Sequence, residues 1–324
     1  MRTLPLRLSP VDGESLLGYI ARYAHTFQFQ PGDVISALGL DSGAGSVATG
    51  ARYGVSLSAG QLQHAAFATG IRPDVLEGML LSRYASCAFD RTSTAAPGAP
   101  ADADQGRQVW IWCSRFCPSC LREDGGWRLR WQVGWSAVCV THQVLLRVRC
   151  PQCEQVSRVG PRRRWHQDHQ GPLSDPSCCS RRHQHALCRA NLAAADMVSV
   201  ASDTNLIAAQ RRIDALLDEQ LKPTLAGVQL TPPAYLRDLL ALCNLLDRHA
   251  RLPGQSQRPA ALWGRRLQDH PAELAAVLPD ALALADLPDQ AALADALREL
   301  ADQRYRADGH TLTASRFRPG LRDA

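Results

Sequence analysis

The chain has 324 residues, 45% of them hydrophobic and 21% charged. This balance is near the globular average, argues against global disorder and leaves room for two or three domains. No run approaches the roughly 18 apolar residues a membrane-crossing helix needs. The opening Met1-Arg2-Thr3-Leu4-Pro5-Leu6-Arg7 lacks the apolar stretch of a secretory signal, so a cytoplasmic protein without a membrane partner is expected. There the eleven cysteines stay reduced, which favours metal binding or thiol chemistry over a disulfide scaffold.

The net charge of +5 is unevenly spread. Residues 1–106 hold 7 Arg against 9 acids, residues 107–190 hold 14 Arg against 5 acids, and residues 191–324 hold 15 basic against 17 acidic side chains. The middle third is a basic island, a field that suits phosphate and nucleic acid. Lys222 is the only lysine. Guanidinium forks bind phosphate well, but a GC-rich genome also favours Arg codons, and a solvated surface is the plainer alternative.

Along the chain, Asp12 is placed to cap a first helix carrying Leu16, Leu17, Ile20, Ala21 and Ala24, which Pro31-Gly32 should end. Asp41 to Gly54, rich in Gly, Ala and Ser, reads as a loop. Ser58 is placed to cap a helix with Leu62, Ala65 and Ala66; Gly70 permits a sharp turn, and Pro73 opens a helix with Val75, Leu76, Met79 and Leu80. That spacing suits a helix-turn-helix and equally a plain helical hairpin. Thr92 to Gln105 has no aromatic residue and two prolines and reads as a linker. The resulting division is an N-terminal helical domain over 1–91, a linker over 92–108, a cysteine-rich module over 109–192 and a C-terminal helical domain over 193–324.

The module opens with Cys117-Pro-Ser-Cys120, followed after eighteen residues by Cys139-Val-Thr-His142. Two ligand pairs, each with two intervening residues, aim four side chains at one ion, and three Cys with one His close a tetrahedron around zinc. A redox Cys-x-x-Cys belongs to a βαβ setting that is absent here. Cys150-Pro-Gln-Cys153 repeats the half-site. Its partners are chosen from Cys178, Cys179, His183, His185 and Cys188: Cys188 comes first, then Cys179, with Cys178 and His185 as rivals. Two structural zinc ions are expected. Cys87 and Cys113 are read as ordinary thiols, and Cys243 as a core residue.

Between the first half-sites, Trp127-Arg128-Leu129-Arg130-Trp131-Gln132-Val133 alternates apolar and polar residues. A short strand is expected, with Trp127, Leu129, Trp131 and Val133 inward and Arg128 and Arg130 outward to meet phosphate or an acidic protein face. Val144 to Arg149 is its expected partner strand. Pro161 to His185 reads as a long basic loop in which Arg162, Arg163 and Arg164 are candidate phosphate contacts. Beyond Ala193, apolar residues at helical spacing around Ile207–Leu217, Tyr235–Leu246, Leu274–Leu284 and Leu293–Leu300 predict a small bundle, and the tail from His310 is polar. The expected fold is mainly α: an N-terminal helix-turn-helix-like region, a central double zinc-finger or zinc-ribbon module with short β strands, and a C-terminal helical bundle.

Two stretches resemble the TniQ proteins of heteromeric transposons, which include the TnsD target selectors. One is LRLSPVDGESLLGYIARYA from Leu6 to Ala24, with Pro10, Gly13-Glu14-Ser15-Leu16, Tyr19 and Arg22. The other is FCPSCLREDGGWRLRWQVGWSAVCVTHQVLLRVRCPQC from Phe116 to Cys153. The resemblance implies zinc ligation by Cys117, Cys120, Cys139 and His142, and by Cys150 and Cys153. It also implies a non-catalytic adaptor that marks a DNA target and recruits an AAA+ ATPase regulator, with the transposase following; some such proteins form homodimers or ride on a CRISPR effector complex. Two rivals are a zinc enzyme, disfavoured because sulfur-rich four-donor sites leave no open position, and a stand-alone transcription regulator reading one operator through Ser58 to Leu81.

Overall fold

The computed structural model describes residues 3–40, 52–88, 113–159, 175–183, 186–250 and 267–307. It is mainly helical. The N-terminal region holds α1 (Leu16–Phe27), α2 (Pro31–Ala37), a single turn α3 (Arg52–Val55), α4 (Ala59–Thr69) and α5 (Pro73–Gly78). The central module holds α6 (Pro118–Asp124) and two hairpins, β1 (Val138–Cys139) with β2 (Val144–Leu145) and β3 (Arg182–His183) with β4 (Ala186–Leu187). The last region holds α7 (Thr204–Leu217), the hairpin β5 (Thr224–Leu225) with β6 (Val228–Gln229), then α8 (Pro232–Ala250), α9 (Pro271–Ala285) and α10 (Gln290–Ala307). No helix among the described residues is long and apolar enough to cross a membrane.

The cap of α1 is Ser15, whose hydroxyl accepts from the Gly18 N–H at 3.1 Å; Asp12, expected there, lies three residues too early. Gln28 in the left-handed region ends the helix, and Pro31 opens α2 as its first residue instead of merely stopping α1. The motif around α1 is structural. Arg22 reaches both oxygens of buried Glu14, from Nε at 2.8 Å and Nη2 at 2.7 Å, and Tyr19 donates to the Leu8 carbonyl. Ser58 caps α4 with a full capping box to Gln61, and Gly70 at φ 72° turns the chain into α5, as expected. Arg52 to Gly54, expected in a loop, lie in α3.

Trp127 to Val133 does not form the expected strand. Leu129–Gln132 is a 3₁₀ turn, because the segment runs between two cores and is buried on both sides. Trp127 and Trp131 enter the first core, with Tyr19, Ile20, Tyr23, Ile35, Leu76 and Phe116. Leu129, Val133 and Trp135 enter the second, with Ile213, Leu236, Leu239, Cys243, Leu274 and Leu278. A strand would send Leu129 and Trp131 to the same side. The partner of Val144–Leu145 is therefore Val138–Cys139. Arg182–His183, expected in a loop, forms one arm of a hairpin.

Both cores cross the divisions read from the sequence. The first joins α1, α2, α4 and α5 to the cysteine-rich module, and the second joins that module and Tyr84 to α7, α8 and α9. Backbone bonds from Ser15 N to Trp127 O at 2.8 Å and from Leu129 N to Gly13 O at 2.7 Å tie the N-terminal segment to the module. The expected linker over 92–108, Arg162, Arg163 and Arg164, His185 and the tail from His310 lie outside the described residues.

Two candidate metal centres

The first centre is assembled from two local structures. Cys117 sits at the N-cap of α6 and Cys120 in its first turn, with Pro118 fixing the helix start. Cys139 ends β1, and His142 stands in the turn that Gln143, at φ 52°, leads into β2. Their four donor atoms gather within 4.8 Å of one another. Cys120 Sγ lies 3.7 Å from Cys139 Sγ. His142 Nδ1 lies 3.5, 3.3 and 3.5 Å from the sulfurs of Cys117, Cys120 and Cys139. A tetrahedron with metal–sulfur legs of 2.3 Å has edges of about 3.8 Å, and slightly less toward nitrogen. The separations far exceed a disulfide bond. On the outer side of the ring, His142 Nε2 is 2.8 Å from Glu123 Oε1.

The second centre joins Cys150, Cys153, Cys179 and Cys188, again within 4.8 Å. Cys150 and Cys153 flank a turn closed by Glu154 N to Cys150 O at 3.0 Å, with Glu154 at φ 55°. Cys179 and Cys188 are held across the β3–β4 hairpin, through Cys179 N to Ala190 O and Cys188 N to Arg181 O. Cys150 Sγ is 3.7 Å from Cys188 Sγ, and Cys153 Sγ is 3.8 Å from Cys179 Sγ, the same tetrahedral edge. Cys178 bridges to Asn191 on the hairpin's base and stands outside the cluster.

Both sets can hold a metal ion, and the sulfurs favour one electrostatically. Hydrogen bonds from Cys117 and Cys120 bring the Cys139 thiol down to about 2, whereas Cys117 is pushed up to about 11, where the raising influence of Cys139 and burial outweighs the hydrogen bond from Cys120. Cys120, hydrogen-bonded to Cys117 and Cys139, is pushed far higher. By themselves the sulfurs tolerate one thiolate; a divalent cation allows all three to release their protons.

Of the other sulfur atoms, Cys87, Cys113 and Cys243 are buried away from both clusters. Burial raises Cys87 to about 11 and Cys243 to about 12, where thiols are unreactive. Arg128 and Arg130, expected to point outward, are turned into ion pairs. Arg128 is bidentate on Asp124 at 3.1 and 2.5 Å, and Arg130 meets Asp214 at 2.7 Å and Asp218 at 3.4 Å. The same 3₁₀ turn that divides the apolar residues between two cores redirects these arginines. The sequence reading did not single out Glu123 as the partner of His142, although its place three residues after Cys120 on one helix face was a usable signal.

No curated protein matches the chain. The TniQ family model matches residues 5–146, a span that contains α1 to α6 and all four donors of the first centre, and stops before Cys150. Over that segment, less than half of the chain, the sequence is similar to the TniQ family.

Proposed function

We propose that this protein is a non-catalytic target-selection adaptor of transposition. It holds two structural zinc ions, binds target DNA or a DNA-bound targeting complex, and recruits an AAA+ ATPase regulator that brings in the transposase. The TniQ family is associated with transposition target selection, and the match over 5–146 supports that reading. The observation that carries it is the pair of closed four-donor clusters, one Cys₃His and one Cys₄, packed into the cores that join the three regions. Sulfur-rich sites with every position taken staple a fold; catalytic zinc keeps a position open. Zinc supplies cross-linking there and no reaction step. Cys117, Cys120, Cys139 and His142 would hold one ion, and Cys150, Cys153, Cys179 and Cys188 the other.

The test has two parts. Purified, reduced protein should contain two zinc ions per chain by elemental analysis. In a pull-down on immobilised target DNA, the ATPase should be retained only when this protein is present. One zinc per chain contradicts the second centre. Tight binding to a single operator with no effect on ATPase retention replaces the adaptor with a transcription regulator.

A further inference from the structure

Six arginines of the central module fall into two groups. Arg115, Arg128 and Arg130 are turned inward: Arg115 is buried and donates to the carbonyls of Val133, Gly134, Ser136 and Gln268, and the other two meet aspartates. Beside the second centre the pattern reverses. Arg147 and Arg149 each give one donor to a backbone carbonyl, of Asp196 and Glu154, and Arg158 stands near the Cys113 thiol, where its charge favours the thiolate. Among the described residues none of these three has a carboxylate within ion-pair distance.

They also share a place. Arg147 and Arg149, two apart on an extended segment, line an open groove of about 360 Å³. Arg149 pairs antiparallel with Val156, which also lines the groove, and Ser157 N donates to Val148 O, so Arg158 follows two residues on along the neighbouring segment. Three acids line the same groove, yet none forms an ion pair with these arginines: Asp196 offers Arg147 its carbonyl, Asp269 faces Arg115, and Glu273 pairs with His270 at 3.8 Å. Guanidinium groups with spare donors match phosphate oxygens. Among the described residues no Phe, Tyr or Trp lines the groove, which favours duplex over stacked single strands.

We propose that Arg147, Arg149 and Arg158 form the surface that receives the phosphodiester backbone of duplex DNA, beside the second metal centre. This placement rests on the reading of the chain as DNA-binding. It assigns the surface sequence-independent positioning contacts, with base reading done elsewhere.

The experiment measures the affinity of the full chain for a short random-sequence duplex over a salt series. The triple variant R147Q/R149Q/R158Q should lower the slope of log K against log salt by about 2.7, since each lost phosphate contact removes about 0.9. R147K/R149K/R158K, which keeps the charges, should retain most of it. R237Q/R248Q/R298Q, on α8 and α10, should leave it unchanged. Zinc content and melting of the Gln triple should match the parent. A salt-dependent parent whose slope survives the Gln triple overturns the placement alone, as does an equal loss in the α8–α10 control. Selective loss of polyglutamate binding with DNA binding intact also overturns it and marks an acidic protein as the partner. A parent with no salt-dependent DNA binding overturns the placement together with the reading beneath it.

Discussion

His142 shows how a single ligand is set by its neighbour. Its Nδ1 faces three sulfurs while Nε2 stands 2.8 Å from Glu123. A carboxylate on the remote nitrogen fixes the tautomer and raises the basicity of the donor. Glu123→Gln keeps the side-chain size and removes the charge. It should weaken metal retention at the first centre by about 10- to 100-fold and leave the second unaltered. Competition with a chromogenic chelator, which resolves the two release steps, checks this; equal retention at both centres contradicts the role. Arg130 poses the opposite problem, because it stabilises a carboxylate that burial disfavours. Burial raises the Asp214 pKa despite Arg130. Arg130→Gln should destabilise the fold by about 1–3 kcal/mol, below the range for fully buried pairs because the arginine is partly exposed. The carboxylate, its folded-state pKa already raised, loses its partner. The deficit should therefore be smallest in acid, where Asp214 is protonated both folded and unfolded, and fully present once the pH has risen above its folded-state value. Denaturant melts across that range test the sign. The half-sites Cys117/Cys120, Cys139/His142 and Cys150/Cys153 were legible because a two-residue spacing aims both side chains locally. Cys179 was only preferred over Cys178 and His185, because a hairpin sets its approach to Cys188. Arg130 was not legible, because its partner lies on α7, far along the chain.

At the scale of elements, α1 and the segment after α6 approach closely enough to exclude a side chain. A Cβ on Gly18 would lie 2.9 Å from Trp127 Cβ and 3.1 Å from Trp127 O. Helix propensity alone predicts that Gly18→Ala gains about 1 kcal/mol. Overpacking against a buried tryptophan and a backbone oxygen costs about 1–3 kcal/mol, and the neighbouring Ser15–Trp127 hydrogen bond leaves the backbone little room to retreat. The net result should be destabilising, seen as a lower melting temperature; a stabilised variant would show that α1 shifts without cost. Caps and glycine turns were readable where the whole signal is local, as at Ser58 and Gly70. Trp127 to Val133 misled because alternation reports burial on one face, whereas this segment is buried between two cores. The β5–β6 hairpin escaped notice for another reason: its strands are two residues long, and Ala226-Gly227 with positive φ at both positions stands where Asn-Gly is the usual signal.

For the whole molecule, the family match ends at residue 146, yet the first centre is braced from well beyond that point. Gln210, buried on α7, accepts from Ala137 N at 2.8 Å and Val138 N at 3.2 Å and donates to Trp135 O at 3.2 Å. Those residues lead directly to Cys139. Arg115, two residues before Cys117, likewise holds both the Val133–Ser136 turn and the Gln268 carbonyl. Periodicity showed that the C-terminal helices carry apolar faces, but it could not show that Trp135 fills the space between them, since that depends on partners distant in sequence. The consequence is that the C-terminal helices and the first centre share stability. Gln210→Ala leaves two buried N–H groups without an acceptor, at a cost of about 2–4 kcal/mol. It should lower the melting temperature and speed zinc release from the first centre, while the Cys₄ centre, whose cysteines belong to the other core, keeps its metal. Cys117→Ser, which removes a ligand outright, should release the first ion and melt the same region. If Gln210→Ala lowers stability without changing zinc release from either centre, the bundle and the metal site are thermodynamically separate, and the role of α7 is confined to packing.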